Sequence, residues 1–372
     1  MTGRRNLIIL CAAALISIVL AAVMLIERAA EGRSHFVPTE FLPGFADNVK
    51  NAASIHVASH GNEFDVAFSG GKWVLPGHGN YPADFDQVRH TLIGLAALRT
   101  IAPKTDRADW LHYVNLDTPP QGNGTEFIVK NVSGQTLGSL IAGTTEQVGD
   151  PNGTIGLFVR RTGDNQAYLA RSVFTPAGDL LSWVNTSVID LGAARIQQVT
   201  VTPPRGKGYT VTRAKDSDLK FSLANPPKSG TPNQQMVDAV PYAVSSFSLE
   251  DVQPVASIDF SAASHDVGKG FDGLMITVDI APKGKDLWGR LTASTAPGVG
   301  PDAVKDAAGI NAKAAGWAYK LPAEKGKALI ADLATIMTPV APQGGPDQGG
   351  MPGMPPGMTM PPGMDMGAGA TP

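Results

Sequence analysis

Three histidines, two neighbouring aspartates and a run of methionines are the side chains in this 372-residue chain whose type and spacing could do chemistry. His56 and His60 stand four apart, with His78 further along. On a strand, positions four apart share a face, but at strand rise they lie about 13 Å apart, too far to share one ion. No Glu follows His56 to make a zincin pattern. These three read as surface histidines. Asp84 and Asp86 could form a carboxylate pair for acid–base work. Asp84 also lies three residues before Gln87, the spacing of a helix start, where its carboxylate accepts from free first-turn amides. Negative charge there suits the helix dipole, so the pair reads as a cap. Neither Gly-x-Ser-x-Gly nor Gly-x-x-x-x-Gly-Lys-Ser/Thr occurs. The clusters Gly206-Lys207-Gly208 and Gly268-Lys269-Gly270 are expected to be turns between strands. No catalytic residue, cofactor or folded-domain metal site is assigned, and the expectation is a protein that is not an enzyme.

The methionines need a separate account. Met351, Met354, Met358, Met360, Met364 and Met366 are six of the chain's eleven and fall in a Pro- and Gly-rich tail. Thioethers are soft ligands that select Cu(I), so a copper-binding tail is one reading. No histidine or cysteine accompanies them, and compositional bias explains the run equally well. With only Asp347 and Asp365 as charges and no apolar pattern, the tail is expected to be disordered.

The elements that position the rest follow from periodicity. Ile55-His56-Val57-Ala58 and Phe64 to Phe68 alternate apolar and polar, the mark of half-buried strands. Gly70-Gly71 turns the chain into a third strand, Lys72-Trp73-Val74-Leu75. A helix capped by Asp84 follows, with Val88, Leu92, Leu95 and Ala96 on one face, ending before Pro103. The same order returns from Arg195 to Pro254. Val199-Thr200-Val201, Tyr209-Thr210-Val211 and Lys220-Phe221-Ser222-Leu223 are the strands. Thr231 with Pro232 and Gln234 opens the second helix, with proline at its first position. Val237, Val240, Val244 and Phe247 line one face, and Pro241 is expected to kink or shorten it. An internal duplication is the reading.

Between the units, Glu126 to Ala170 reads as a meander of four strands broken by Gly and Asn turns. Ile258-Asp259-Phe260 and Leu274 to Val278 begin a third set of strands. Trp317 to Pro322 and a helix through Met337 close the fold. Strands outnumber helices and connect through hairpins, so the class is α+β, with repeated antiparallel sheets carrying one helix per unit.

Location comes from Leu7 to Ile26, twenty residues without a charge behind Arg4 and Arg5. About twenty apolar residues span a hydrocarbon core of roughly 30 Å as a helix. The run exceeds the roughly 7–15 residues of a cleaved signal and ends in Ile26-Glu27-Arg28, a poor cleavage context. Leu10 before Cys11 argues against a lipoprotein. The basic N-terminus favours the cytoplasmic side, which places the bulk of the chain in the periplasm of a bacterium, on a single-pass inner-membrane anchor. The expected divisions are a cytoplasmic stub and anchor (1–33), a first α+β unit with meander (34–194), a second unit with closing strands and helix (195–340) and the tail (341–372). The net charge is −3, and the first 33 residues hold four arginines and two glutamates (+2), leaving −5 beyond them. That gives no electrostatic footprint for nucleic acid. Cys11 is the sole cysteine, so the folded part carries no disulfide. The sequons at Asn123, Asn131, Asn152 and Asn185 read as loop chemistry.

Gly71 to Leu75 leading into Tyr81-Pro82-Ala83-Asp84, then Leu181 to Asn185 with Ile189-Asp190-Leu191, then Trp317 to Pro322, resemble the bacterial domain of unknown function 4340. The likeness covers roughly residues 50 to 340. The resemblance implies a single-pass envelope protein encoded beside ABC transporter permeases and gliding-motility-type auxiliary subunits, and it brings no catalytic residues with it. The expected function is therefore a non-enzymatic, membrane-anchored periplasmic accessory subunit of an ABC transporter or envelope complex. The alternative is a periplasmic ligand-binding or hydrolytic domain acting on an envelope glycan or lipid, which would need a deep pocket with convergent polar groups.

Overall fold

The computed structural model of the chain describes Met24 and residues 38–148, 155–173 and 175–337. The apolar run from Leu7 to Ile26, apart from Met24, and the methionine tail lie outside the described residues. Among those described, no helix is long and apolar enough to cross a membrane.

A short helix α1 (Phe45–Asn48) leads into β1 (Ala52–Ser59), β2 (Asn62–Ser69), β3 (Lys72–Leu75), β4 (Tyr81–Pro82), helix α2 (Phe85–Ala97), β5 (Arg99–Pro103), β6 (Thr125–Asn131), β7 (Thr136–Gln147), β8 (Ile155–Arg161) and β9 (Ala167–Ser172). All pairings are antiparallel, in the order β4-β3-β2-β1-β6-β7-β8-β9-β5. Alternation does what the sequence implies: Ile55, Val57, Val66, Phe127, Val129 and Leu140 are all buried.

The second half runs β10 (Ser187–Asp190), β11 (Ile196–Thr202), β12 (Tyr209–Thr212), β13 (Ser222–Leu223), α3 (Gln234–Ser245), β14 (Ser246–Ser248), β15 (Asp251–Pro254), β16 (Ser264–Gly270), β17 (Leu274–Lys283), β18 (Asp286–Thr295), α4 (Pro301–Ala314), β19 (Trp317–Lys320), α5 (Ala323–Ile330) and α6 (Leu333–Ile336). Its main sheet has the order β13-β12-β11-β16-β17-β18-β19-β15. Strand for strand this is the first sheet's order without β4. The match extends to a register shift near the start of the first strand. In β1 it falls between Ala52 and Ser54, opposite β6, and in β11 between Ile196 and Gln198, opposite β16. The capping residues also correspond: Asp84 accepts from the Asp86 and Gln87 amides, and Asn233 from those of Gln235 and Met236.

The halves are closed by one continuous apolar core running from Phe41 to Ile336. β10 pairs with β14 to tie the connection between the sheets onto the end of α3. Across the junction Tyr81 meets Trp317 edge-on at 5.0 Å and Tyr319 at 6.3 Å.

Several sequence expectations are corrected. The second helix begins after Asn233, not at Thr231-Pro232, because the Asn233 side chain is the cap. Pro241 does not shorten it: Pro241 is buried beside Val237, Val240 and Val244, and burial of that face outweighs the lost hydrogen bond. The expected strand Lys220 to Leu223 is reduced to Ser222–Leu223. Ile258-Asp259-Phe260 follows the 3-10 turn Val255–Ser257 and is not a strand. The strands after it are no third set, since β16 to β19 repeat the order of β6 to β9. Gly268-Lys269-Gly270 is no turn but the end of β16, where α3 packs so closely that a Cβ on Gly268 would lie 2.6 Å from Val244 Cγ1. The closing helix is two helices, because Asp332 restarts the chain by capping the Thr335 amide.

Candidate functional site

The sequence-flagged side chains are not brought together. His56 Nδ1 lies 2.9 Å from Asp65 Oδ1, its cross-strand neighbour on β2, and His60 is exposed in the β1–β2 turn. Asp84 is occupied by the α2 amides, and Asp86 pairs with Arg89 at 3.0 Å. Asn131 and Asn185 bend their own loops by accepting from Ser133 and Ser187 amides. Among the described residues, no group of three or more His, Cys, Asp or Glu is placed to hold a metal ion.

His78 reaches residues of the other half. Its Nδ1 lies 3.1 Å from both Val252 O and Asp251 Oδ1 of β15. The bond to Asp251 raises the imidazole pKa above its ordinary value against the opposing effect of burial. Burial pushes Asp251 up, but His78, the Val252 amide and Lys320 together hold it below the usual carboxylate value. His78 and Asp251 line an open cleft of about 430 Å³ with Glu63, Asp179, Glu250 and Lys320. Four carboxylates face two cations there. Lys320 is already shared between Glu250 at 3.8 Å and Asp286 at 3.4 Å. The arrangement can hold a polar or cationic group, and its charges stabilise the junction itself.

A second surface has a different character. Between β5 and β6 the chain forms a 3-10 segment, Ala108–Val114, that holds Trp110 48% and Tyr113 74% exposed. The Arg107 guanidinium stacks 4.7 Å from the Trp110 ring centre, and Lys104 lies 5.8 Å over Phe158. Together they border an apolar depression of about 490 Å³. The segment is held from beneath. Leu111 and Leu116 pack with Ile141 and Ala167 as a separate small core. Asn115, in the left-handed region at φ 53°, turns the chain back. Buried Arg160 then bonds Leu116 O and Thr118 Oγ1, each at 2.6 Å, and Asp164 O at 2.9 Å. Burial lowers the Arg160 pKa while Glu126, Asp117 and Asp164 act in the opposite direction. The pattern Trp110-Leu111-His112-Tyr113 was the sequence signal for this surface, and periodicity alone gave no reason to place its rings outside.

The family model for a domain of unknown function, DUF4340, matches residues 73–267. The chain belongs to the DUF4340 family. The match runs from β3 of the first sheet to β16 of the second, so the DUF4340 region crosses the junction and includes the Trp110 surface and His78, Asp179, Glu250 and Asp251 of the cleft, while Glu63 and Lys320 lie outside it. No curated protein and no solved structure matches the chain.

Proposed function

We propose that this DUF4340 chain is a non-enzymatic accessory subunit of the bacterial inner membrane that binds a protein partner through the Trp110 surface. The observation carrying the reading is that surface: two exposed aromatic rings and a stacked arginine, standing on a buried arginine and a dedicated apolar cluster. Trp, Tyr and Arg dominate the residues that carry binding energy at protein interfaces, and a rigid support lowers the entropic cost of engaging them. The twenty-residue apolar run supplies a single-pass anchor with the folded part in the periplasm. An ABC transporter permease or auxiliary envelope protein is the partner class implied by the family resemblance.

Affinity purification of the full chain from detergent, followed by mass spectrometry, tests this. Wild type should recover transporter permease or auxiliary envelope subunits, and Trp110→Ala with Tyr113→Ala should lose them at an unchanged melting temperature. Recovery of the same proteins by both would refute the reading. The cleft at His78 favours a second reading, a periplasmic ligand-binding or hydrolytic domain acting on an envelope glycan or lipid. Calorimetric titration with envelope glycan fragments, repeated on Glu250→Gln, would support it only if binding occurs and the variant weakens it.

A further inference from the structure

The two sheets carry topologically equivalent rows of four side chains on their buried faces, and one row is chemically out of place. Across β2, β1, β6 and β7 the first row is Phe64, Val57, Phe127 and Leu140. Across β12, β11, β16 and β17 the second is Tyr209, Val201, Asp266 and Val278. A phenol and a carboxyl stand where the sister sheet has two phenylalanine rings. Asp266 is 0% exposed and Tyr209 7%. Asp266 Oδ2 and the Tyr209 hydroxyl have no hydrogen-bond partner among the described residues. Leaving such groups buried is costly, and a buried ionised carboxyl without a counter-ion is costlier still.

The neighbouring hydroxyl gives this misfit a use. Ser264 Oγ lies 3.0 Å from Asp266 Oδ1, 3.0 Å from Leu329 O and 3.2 Å from Thr202 O. It has one proton for three acceptors. Leu329 O belongs to the last turn of α5, where carbonyls lack intrahelical partners. We propose that Asp266 and Ser264 form a proton switch that fastens α5 to the second sheet. With Asp266 neutral, its O–H donates to Ser264 Oγ, and the Ser264 proton is free to bond Leu329 O. When Asp266 gives up its proton, the carboxylate takes the Ser264 hydroxyl for itself, and Leu329 O loses its donor. α5 then loosens, and Asp266 gains water.

The surrounding charges offer no counter-ion. Tyr209 faces it from β12. Asp279 of β17 is paired with His265 at 2.7 Å and Arg290 at 2.9 Å. Asp332 caps α6, Lys325 of α5 bonds Ser246 O, and Asp238 of α3 bonds the Phe221 amide. Glu324 and Lys327 pair with each other at the surface of α5. Burial, the largest influence, pushes Asp266 up to about 8 against Ser264 and the Thr202 backbone, and the like charge of Asp279 adds to the rise.

Two measurements on the full chain test this. The Asp266 carboxyl, followed by carbon NMR from pH 4 to 10, should titrate near 8; a midpoint in the ordinary carboxylate range overturns the switch. Amide-exchange protection of α5, corrected for intrinsic rates, should fall about tenfold per pH unit up to that midpoint and then level off, since one proton is released per opening. Asp266→Asn should abolish this dependence, and a variant keeping the wild-type profile would sink the proposal. Ser264→Ala should leave the carboxyl titrating while α5 protection is low throughout; unchanged protection in it would count against the switch. The carboxyl measurement needs no variant and stands whether or not Asp266→Asn folds.

Discussion

Gly79 takes a left-handed conformation at φ 68°, and a Cβ there would lie 2.3 Å from Pro254 Cγ of the other half. Gly79→Ala therefore meets both backbone strain and a clash and should cost about 2–3 kcal/mol in denaturant melts. Its neighbour His78 carries a pH dependence. The folded imidazole pKa is raised above its ordinary 6.5, so its stabilisation is full below about 6.5 and fades as pH rises through the folded value. Asp251 is held below its ordinary 3.8, so its share is full above that value and lost as pH falls through the folded one. The pair should thus stabilise most between about pH 4 and 6.5. His78→Ala should cost about 1 kcal/mol there and flatten the melting-temperature profile just above it. Little of this was legible beforehand, because His78 finds its partners far along the chain and spacing says nothing of such encounters.

At the scale of elements, the two helix caps are the simplest test. Asp84→Ala and Asn233→Ala should each cost about 1 kcal/mol, seen as earlier exchange of α2 or α3 amides. Asp84 was readable from its spacing to Gln87; Asn233 was masked by the Thr-Pro pair just before it. Strands with apolar inner faces were legible as well. β16 was not, for a physical reason: its buried positions are Ser264, Asp266, Gly268 and Gly270, while His265 and Lys269 face out. A strand whose inner face is polar and small defeats the alternation rule. β5 was hidden behind the end of α2, and the short β10 and β14 are strands only because each has the other. The Trp110 surface escaped because a Trp-Tyr cluster reads equally well as core.

For the whole molecule, the continuous core and the Tyr81–Trp317 contact predict that both halves unfold together. Urea melts followed by amide exchange should give β6–β7 and β17–β18 the same global free energy. Trp317→Ala should lower both by about 2–3 kcal/mol. If only the second sheet weakens, the halves are separate folding units. The two sheets match in strand order and in the register shift near the start of their first strand. We read them as copies of one module whose second copy gained α4 between β18 and β19, where the first has a short turn.

That shared order has a consequence for how the protein is made. In each half the outermost strand, β5 or β15, is synthesised before the meander whose last strand it must pair with. A nascent chain released from the ribosome at residue 160 would hold β5 with every backbone group of that edge unanswered, because Ala167–Ser172 is still missing. Neither half can therefore complete its sheet from its N-terminal strands alone. Each has to wait for its final strand and then close a long loop at once, a slow and entropically costly step. Until that moment the open edge is available to other chains, which makes a holding chaperone the natural companion of the unfinished protein.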